Sequence, residues 1–103
     1  MGITPERIQL LHPERGKSAP RIDKGKYDAV RKAILRAVPA NAEGITWREL
    51  PGKVRALLPP RSRSTLGSVT WYTVSVKLDM EARGELERIP GAVPQRIRRR
   101  RQA

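Results

Sequence analysis

Phenylalanine and cysteine are absent from the 103 residues, and histidine occurs once. Without cysteine there is neither a disulfide nor a thiolate metal site, which suits a reducing compartment. Without phenylalanine the aromatic inventory is Tyr27, Trp47, Trp71 and Tyr72. A chain long enough for one domain therefore has few large side chains for its core, and each buried one counts. No apolar run approaches the ~20 residues that a membrane span needs. The opening "MGITPERIQLLHPERG" lacks the unbroken apolar centre of a signal peptide, so a cytoplasmic location is expected. His12 sits between Leu11 and Pro13 with no neighbour to orient it as a general base. Neither a glycine-rich phosphate loop nor a nucleophile elbow is present. Asp79, Glu81, Glu85 and Glu87 fall on a helix end and a strand, and so point apart rather than toward one metal. No enzyme activity, cofactor or metal centre is expected.

Acidic residues are also scarce. Ten Asp and Glu face 22 Lys and Arg, a net charge of +12. The excess is uneven: residues 1–78 hold 15 basic and 6 acidic groups, residues 79–95 carry a balance of −2, and the closing "RIRRRRQA" adds +5. Such a surplus attracts a polyanion, with nucleic acid the leading class. The arginine tail can anchor nucleic acid, touch an anionic surface or remain a solvated end.

Residues 1–22 contain Pro5, Pro13, Gly16 and Pro20 around Ile8, Leu10 and Leu11, which reads as an extended arm docking apolar residues on the domain. Residues 24–38 form the clearest helix. Tyr27, Val30, Ile34 and Val38 share one face, Asp23 caps the start and Pro39 stops it. In "GITWREL" Thr46 and Glu49 have the spacing of a capping box for a second helix whose apolar face is Leu50, Val54, Leu57 and Leu58. Pro51 lies past the expected free first turn and should remove a hydrogen bond. Pro59-Pro60 ends the helix, and "RSRSTLGS" reads as a basic loop. The runs 85–89 and 94–98, separated by Pro90-Gly91, form a hairpin.

The stretch between loop and hairpin, "WYTVSVKLDMEARG", alternates like a strand but ends in good helix formers before Gly84. At about 100° per residue it becomes a helix over 71–83 with two apolar stripes. One holds Trp71, Val74, Leu78 and Ala82, the other Tyr72, Val76 and Met80. The helix fits the order of its neighbours, and we adopt it.

"MEARGELER" resembles the junction between the third helix and the wing of bacterial winged helix-turn-helix regulators, with Met80 where leucine is usual. "GITWREL" resembles the opening of their second helix. The chain is also similar to a small family of uncharacterised bacterial proteins, in "APRIDKGKYDA" and "WYTVSVKLDMEARGELERIPG". The resemblance covers residues 24–98 and implies a mainly α fold: three helices and a small β-hairpin in a winged-helix domain over 23–98, preceded by the arm 1–22 and followed by a basic tail 99–103. It implies DNA as partner. The third helix would enter the major groove, the loop before it would touch phosphates, and the wing would follow the backbone.

Carried onto this chain, the phosphate contacts are Arg61, Arg63, Ser64, Thr65 and Ser68. Thr70, Thr73 and Lys77 face bases, and Arg96, Arg98, Arg99, Arg100 and Arg101 follow the wing. The third helix departs from the regulators in offering no Asn or Gln and only one early Lys. Base readout needs such bidentate groups, so phosphate-dominated binding is favoured over sequence reading, as in a regulator or a nucleoid-associated factor. One stripe, either Tyr72, Val76 and Met80 or Trp71, Val74 and Leu78, must be covered by the arm or the wing, or else forms a homodimer or protein interface, for which Tyr72, Val76 and Met80 are the candidates. A winged-helix interaction module is the alternative reading, and RNA is a weaker one because no aromatic RNA-binding motif is present.

Overall fold

The computed structural model describes residues 6–100. It contains four helices and two small antiparallel sheets, a mixed α/β arrangement in which the first helix packs on both the second and the fourth. The three helices and single hairpin expected from the sequence are thus one helix and several strands short.

The extra strands come first from the N-terminal segment. Arg7–Gln9 (β1) pairs with Arg21–Asp23 (β2), with Ile8 opposite Ile22. Leu10 and Ile22 from this ribbon are in the core, so the expected docking occurs through a paired ribbon rather than a single extended arm. Asp23 ends β2 and accepts the Lys26 backbone N–H at 2.9 Å, capping α1 (Lys24–Ala37). Tyr27, Val30, Ala33 and Ile34 are buried along α1, and Val38 closes it before Pro39.

Residues 45–46 form a short strand, β3 (Ile45–Thr46), and α2 begins only at Leu50 (Leu50–Leu57). The capping box is therefore inverted in part. Thr46 donates both its backbone N–H (2.9 Å) and its hydroxyl (2.8 Å) to the Glu49 carboxylate. Because the helix starts at Leu50, Pro51 lies in its first turn, where N–H groups have no helical partner, and it costs no hydrogen bond. Pro59-Pro60 both ends α2 and starts α3 (Pro60–Leu66), since a proline ring suits the first helical position. The expected basic loop is mostly this helix.

Ser68 accepts the Trp71 backbone N–H at 3.0 Å and caps α4 (Val69–Ala82), so the disputed stretch is a helix. Gly84 ends it with φ of 80°, while Glu85 N–H reaches Met80 C=O and Gly84 N–H reaches Glu81 C=O. This left-handed closure satisfies the last carbonyls and needs glycine. β4 (Leu86–Arg88) and β5 (Arg96–Arg99) then form the hairpin, and β3 adds to its other side in the order β3-β5-β4. Ile97 at the centre of β5 is fully buried, opposite both Ile45 and Arg88.

Candidate nucleic-acid interface

Two apolar stripes were expected on α4, and the core takes one of them. Val76 and Met80 have no exposed surface, with Val69 beside them, while Tyr72 is half-buried. Val76 and Met80 therefore cannot form an exposed interface. They pack inward because α1 and α2 close over this face. The outward face carries Trp71, Val74 and Leu78, with Trp71 45 % exposed.

The polar residues expected to face bases divide. Thr70 is exposed in the first turn. Thr73 and Lys77 are buried at 1 % and 7 % exposure. Lys77 Nζ donates to Gln95 Oε1 at 3.1 Å and pairs with Glu81 at 3.4 Å, while Arg88 from β4 pairs with the same carboxylate at 2.9 Å. Burial disfavours the charged amine and holds the Lys77 pKa below its ordinary value, opposed by Glu81. Lys77 thus ties α4 to the hairpin instead of presenting a charge outward.

The sequence assigned Asp79 no role beyond pointing away from its acidic neighbours. It is fully buried, and its carboxylate accepts from three separate parts of the chain. Tyr27 Oη of α1 donates at 2.6 Å, the Leu11 backbone N–H at 2.8 Å, and Arg83 Nε at 2.9 Å. Arg83 also reaches the Gln9 carbonyl. Burial, and then acceptance of its proton by Asp79, push the Tyr27 pKa well above the ordinary tyrosine value. A helical position that falls on no apolar stripe, followed four residues later by arginine, is the only sequence signal for this centre.

The arginines expected to follow the hairpin are largely engaged within the fold. Arg96 Nε donates to the Glu43 carbonyl at 2.8 Å, Arg98 Nε to Glu87 at 2.8 Å, and Arg99 Nε to the Val38 carbonyl at 2.7 Å. Arg99 belongs to β5, and the Arg100 backbone N–H bonds Glu85, so both are held rather than part of a loose tail. The Arg100 side chain borders an open cleft with Arg31, Arg99 and Glu85, where Arg31 and Glu85 form an ion pair. Arg101 lies outside the described residues.

A different group of cations faces outward. Arg48, Lys53, Arg55 and Arg61 are exposed and Arg63 is half-buried, with Glu49 the one acid between Arg48 and Arg63. None of the five forms an ion pair among the described residues. Arg63 donates weakly to the Arg55 carbonyl, and the Arg48 guanidinium lies 5.9 Å from the Trp47 ring centroid. Arg61 and Arg63 were expected at this surface. Arg48, Lys53 and Arg55 were not, although their positions off the Leu50-Val54-Leu57-Leu58 stripe make them legible. Ser64 and Thr65 hydroxyls donate to the Arg61 carbonyl at 3.0 Å, and the Ser68 hydroxyl caps α4, so these three hydroxyls are engaged at the α3–α4 junction.

The arrangement suits a surface that meets a polyanion. Among the described residues no group of three His, Asp or Glu side chains gathers that could hold a metal, and no helix is long and apolar enough to cross a membrane. Neither the comparison with curated proteins nor that with solved structures gives a match. One family model does match, over residues 7–97, and it spans both sheets and all four helices. The chain belongs to that family, described as "Family of unknown function (DUF6958)".

Proposed function

We propose that this protein is a small basic winged-helix protein that binds nucleic acid, in the first instance DNA, through its phosphates. The observation that carries the reading is the run of five outward cations, Arg48 in the turn before α2 and four on α2 and α3, with a single acid among them, while the acids of α4 and β4 are paired with cations of the fold. Supporting it, α1, β3, α2, α4 and the β4–β5 hairpin follow one another in the order expected of a winged helix, with α3 an additional helix; on this reading α4 is the recognition helix and the hairpin the wing. The outward face of α4 has no Asn, Gln, Lys or Arg among Thr70, Trp71, Val74, Ser75 and Leu78. Binding with little base readout follows, as in a nucleoid-associated factor or a regulator of low intrinsic specificity.

Titrating duplex DNA across a range of salt tests the reading. Each neutralised phosphate contributes about −0.9 to the slope of log affinity against log salt for B-DNA. An affinity that barely changes between low and physiological salt would remove the phosphate mechanism.

A second reading is favoured by the outward stripe Trp71, Val74 and Leu78, with Leu11 of the N-terminal segment 43 % exposed. On it the domain is an interaction module that pairs with itself or another protein. Sedimentation over a wide concentration range separates homodimer from monomer.

A further inference from the structure

Trp47 and Trp71 are the two indoles of the chain, and neither is in the core. They are 40 % and 45 % exposed, while the one aromatic among the buried residues is Tyr27. A buried tryptophan removes more apolar area from water than any aliphatic side chain, so a fold with so few aromatics would gain most by enclosing them. Both stand at the surface, with a cation against the Trp47 ring and another against the Tyr72 ring next to Trp71. Arg48 lies over Trp47, and Lys26 Nζ lies 5.5 Å from the Tyr72 ring that supports Trp71. Trp71 and Tyr72 meet edge to face, centroids 4.9 Å apart at 80°, which holds the Trp71 ring while much of it remains open.

The order along the chain completes the pattern. Arg48, Lys53, Arg55, Arg61 and Arg63 all fall between Trp47 and Trp71, and only Gly67 and Ser68 separate α3 from α4. An intact duplex offers phosphates to such cations but hides its base faces, so a surface indole has nothing to stack on. Unpaired bases expose those faces, and stacking on an aromatic ring tolerates any base. The α4 face that lacks bidentate hydrogen-bonding groups is poorly equipped for duplex edges and well equipped for stacking.

We propose that the preferred partner is a stretch of nucleic acid with unpaired bases, its phosphates held by the α2–α3 cations and a base stacked on Trp71, with Trp47 as a second platform. This rests on the nucleic-acid reading of the same surface. The full-length protein is titrated with a single-stranded oligo(dT) and with the dA·dT duplex of equal length at one salt concentration, following tryptophan fluorescence and affinity. Oligo(dT) is expected to bind more tightly than the duplex and to quench the fluorescence. Trp71→Ala should weaken oligo(dT) binding by about 5- to 100-fold, the range that loss of one stacked base implies. Its duplex affinity should stay within about twofold, and Trp71→Phe should recover part of the loss.

Equal weakening of both ligands by Trp71→Ala, or duplex binding as tight as single-strand binding, overturns the inference and leaves phosphate-dominated duplex binding standing. If neither ligand binds even at low salt, the nucleic-acid reading itself fails, and the inference with it.

Discussion

Asp79 is the residue on which three parts of the chain converge, and its environment sets two expectations. Its carboxylate is fully buried and satisfied by Tyr27, the Leu11 backbone and Arg83. Removing one partner of a buried charged network leaves the others unsatisfied, so Asp79→Ala should cost about 3 kcal/mol, read as a lower urea midpoint. The raised Tyr27 pKa has a definite sign. An unfolded tyrosine ionises near 10.0, whereas the folded one stays protonated, so its contribution is whole below pH 10 and is lost as pH rises above it. Wild-type stability should therefore fall between pH 9 and 11 more steeply than that of Tyr27→Phe. Lys77 contributes in the opposite sense, gaining stability as pH rises toward 10.5, but equally in both proteins, so their difference isolates the tyrosine. Thr73 offers a contrasting case. Its hydroxyl is buried without a partner, so Thr73→Val should be neutral or stabilise by about 1 kcal/mol and, on the proposed function, leave DNA affinity unchanged. A weakened DNA affinity in a fully folded Thr73→Val protein would restore this side chain to the interface.

At the scale of elements, Gly44, just before β3, approaches β5 too closely to leave room for a side chain. Gly44 is buried with φ of 59°, and a Cβ there would overlap the Ile97 carbonyl and crowd the Ile89 side chain. Because the obstruction is backbone at the centre of the sheet, relaxation must separate the strands. Gly44→Ala should destabilise by at least about 2 kcal/mol through overpacking and the left-handed conformation, measurable as a fall in thermal midpoint. Helix positions show a second lesson. Pro51 and Pro60 both read as obstacles along the sequence, yet each occupies a first turn, where the missing N–H is harmless. Shifting the start of α2 by three residues was enough to reverse the meaning of Pro51.

For the whole molecule, charge is partitioned by function of place. Lys77, Arg83, Arg88 and Arg98 pair with carboxylates and brace α4 and the hairpin, whereas the α2–α3 cations have no such partners among the described residues. On the proposed function, the double variant Arg61→Ala/Arg63→Ala should lower the salt slope of duplex binding by about 2 and weaken binding alike on unrelated sequences. Salt titrations of both proteins check it. The pair Arg96→Ala/Arg99→Ala should instead act mainly on stability, because those guanidinium groups bond the Glu43 and Val38 carbonyls. If it lowers the slope as much while folding remains intact, the interface extends to β5.

Local rules were sufficient wherever a residue's role depends on neighbours within a turn or two. The α1 stripe, the Asp23 cap, the helical nature of residues 71–82 and the Gly84 closure are of this kind, as is the hairpin bend near Pro90. The cation excess is likewise a property of the chain itself. Only the tertiary structure decided which of two chemically similar stripes on α4 faces the core, because α1 and α2 choose between them from a distance in sequence. For the same reason it alone decided that Lys77 and four hairpin arginines are bound within the fold, and that Asp79 holds the N-terminal ribbon. A charge is available to a partner only if nothing nearer in space has taken it, and proximity in space is what a linear sequence does not display.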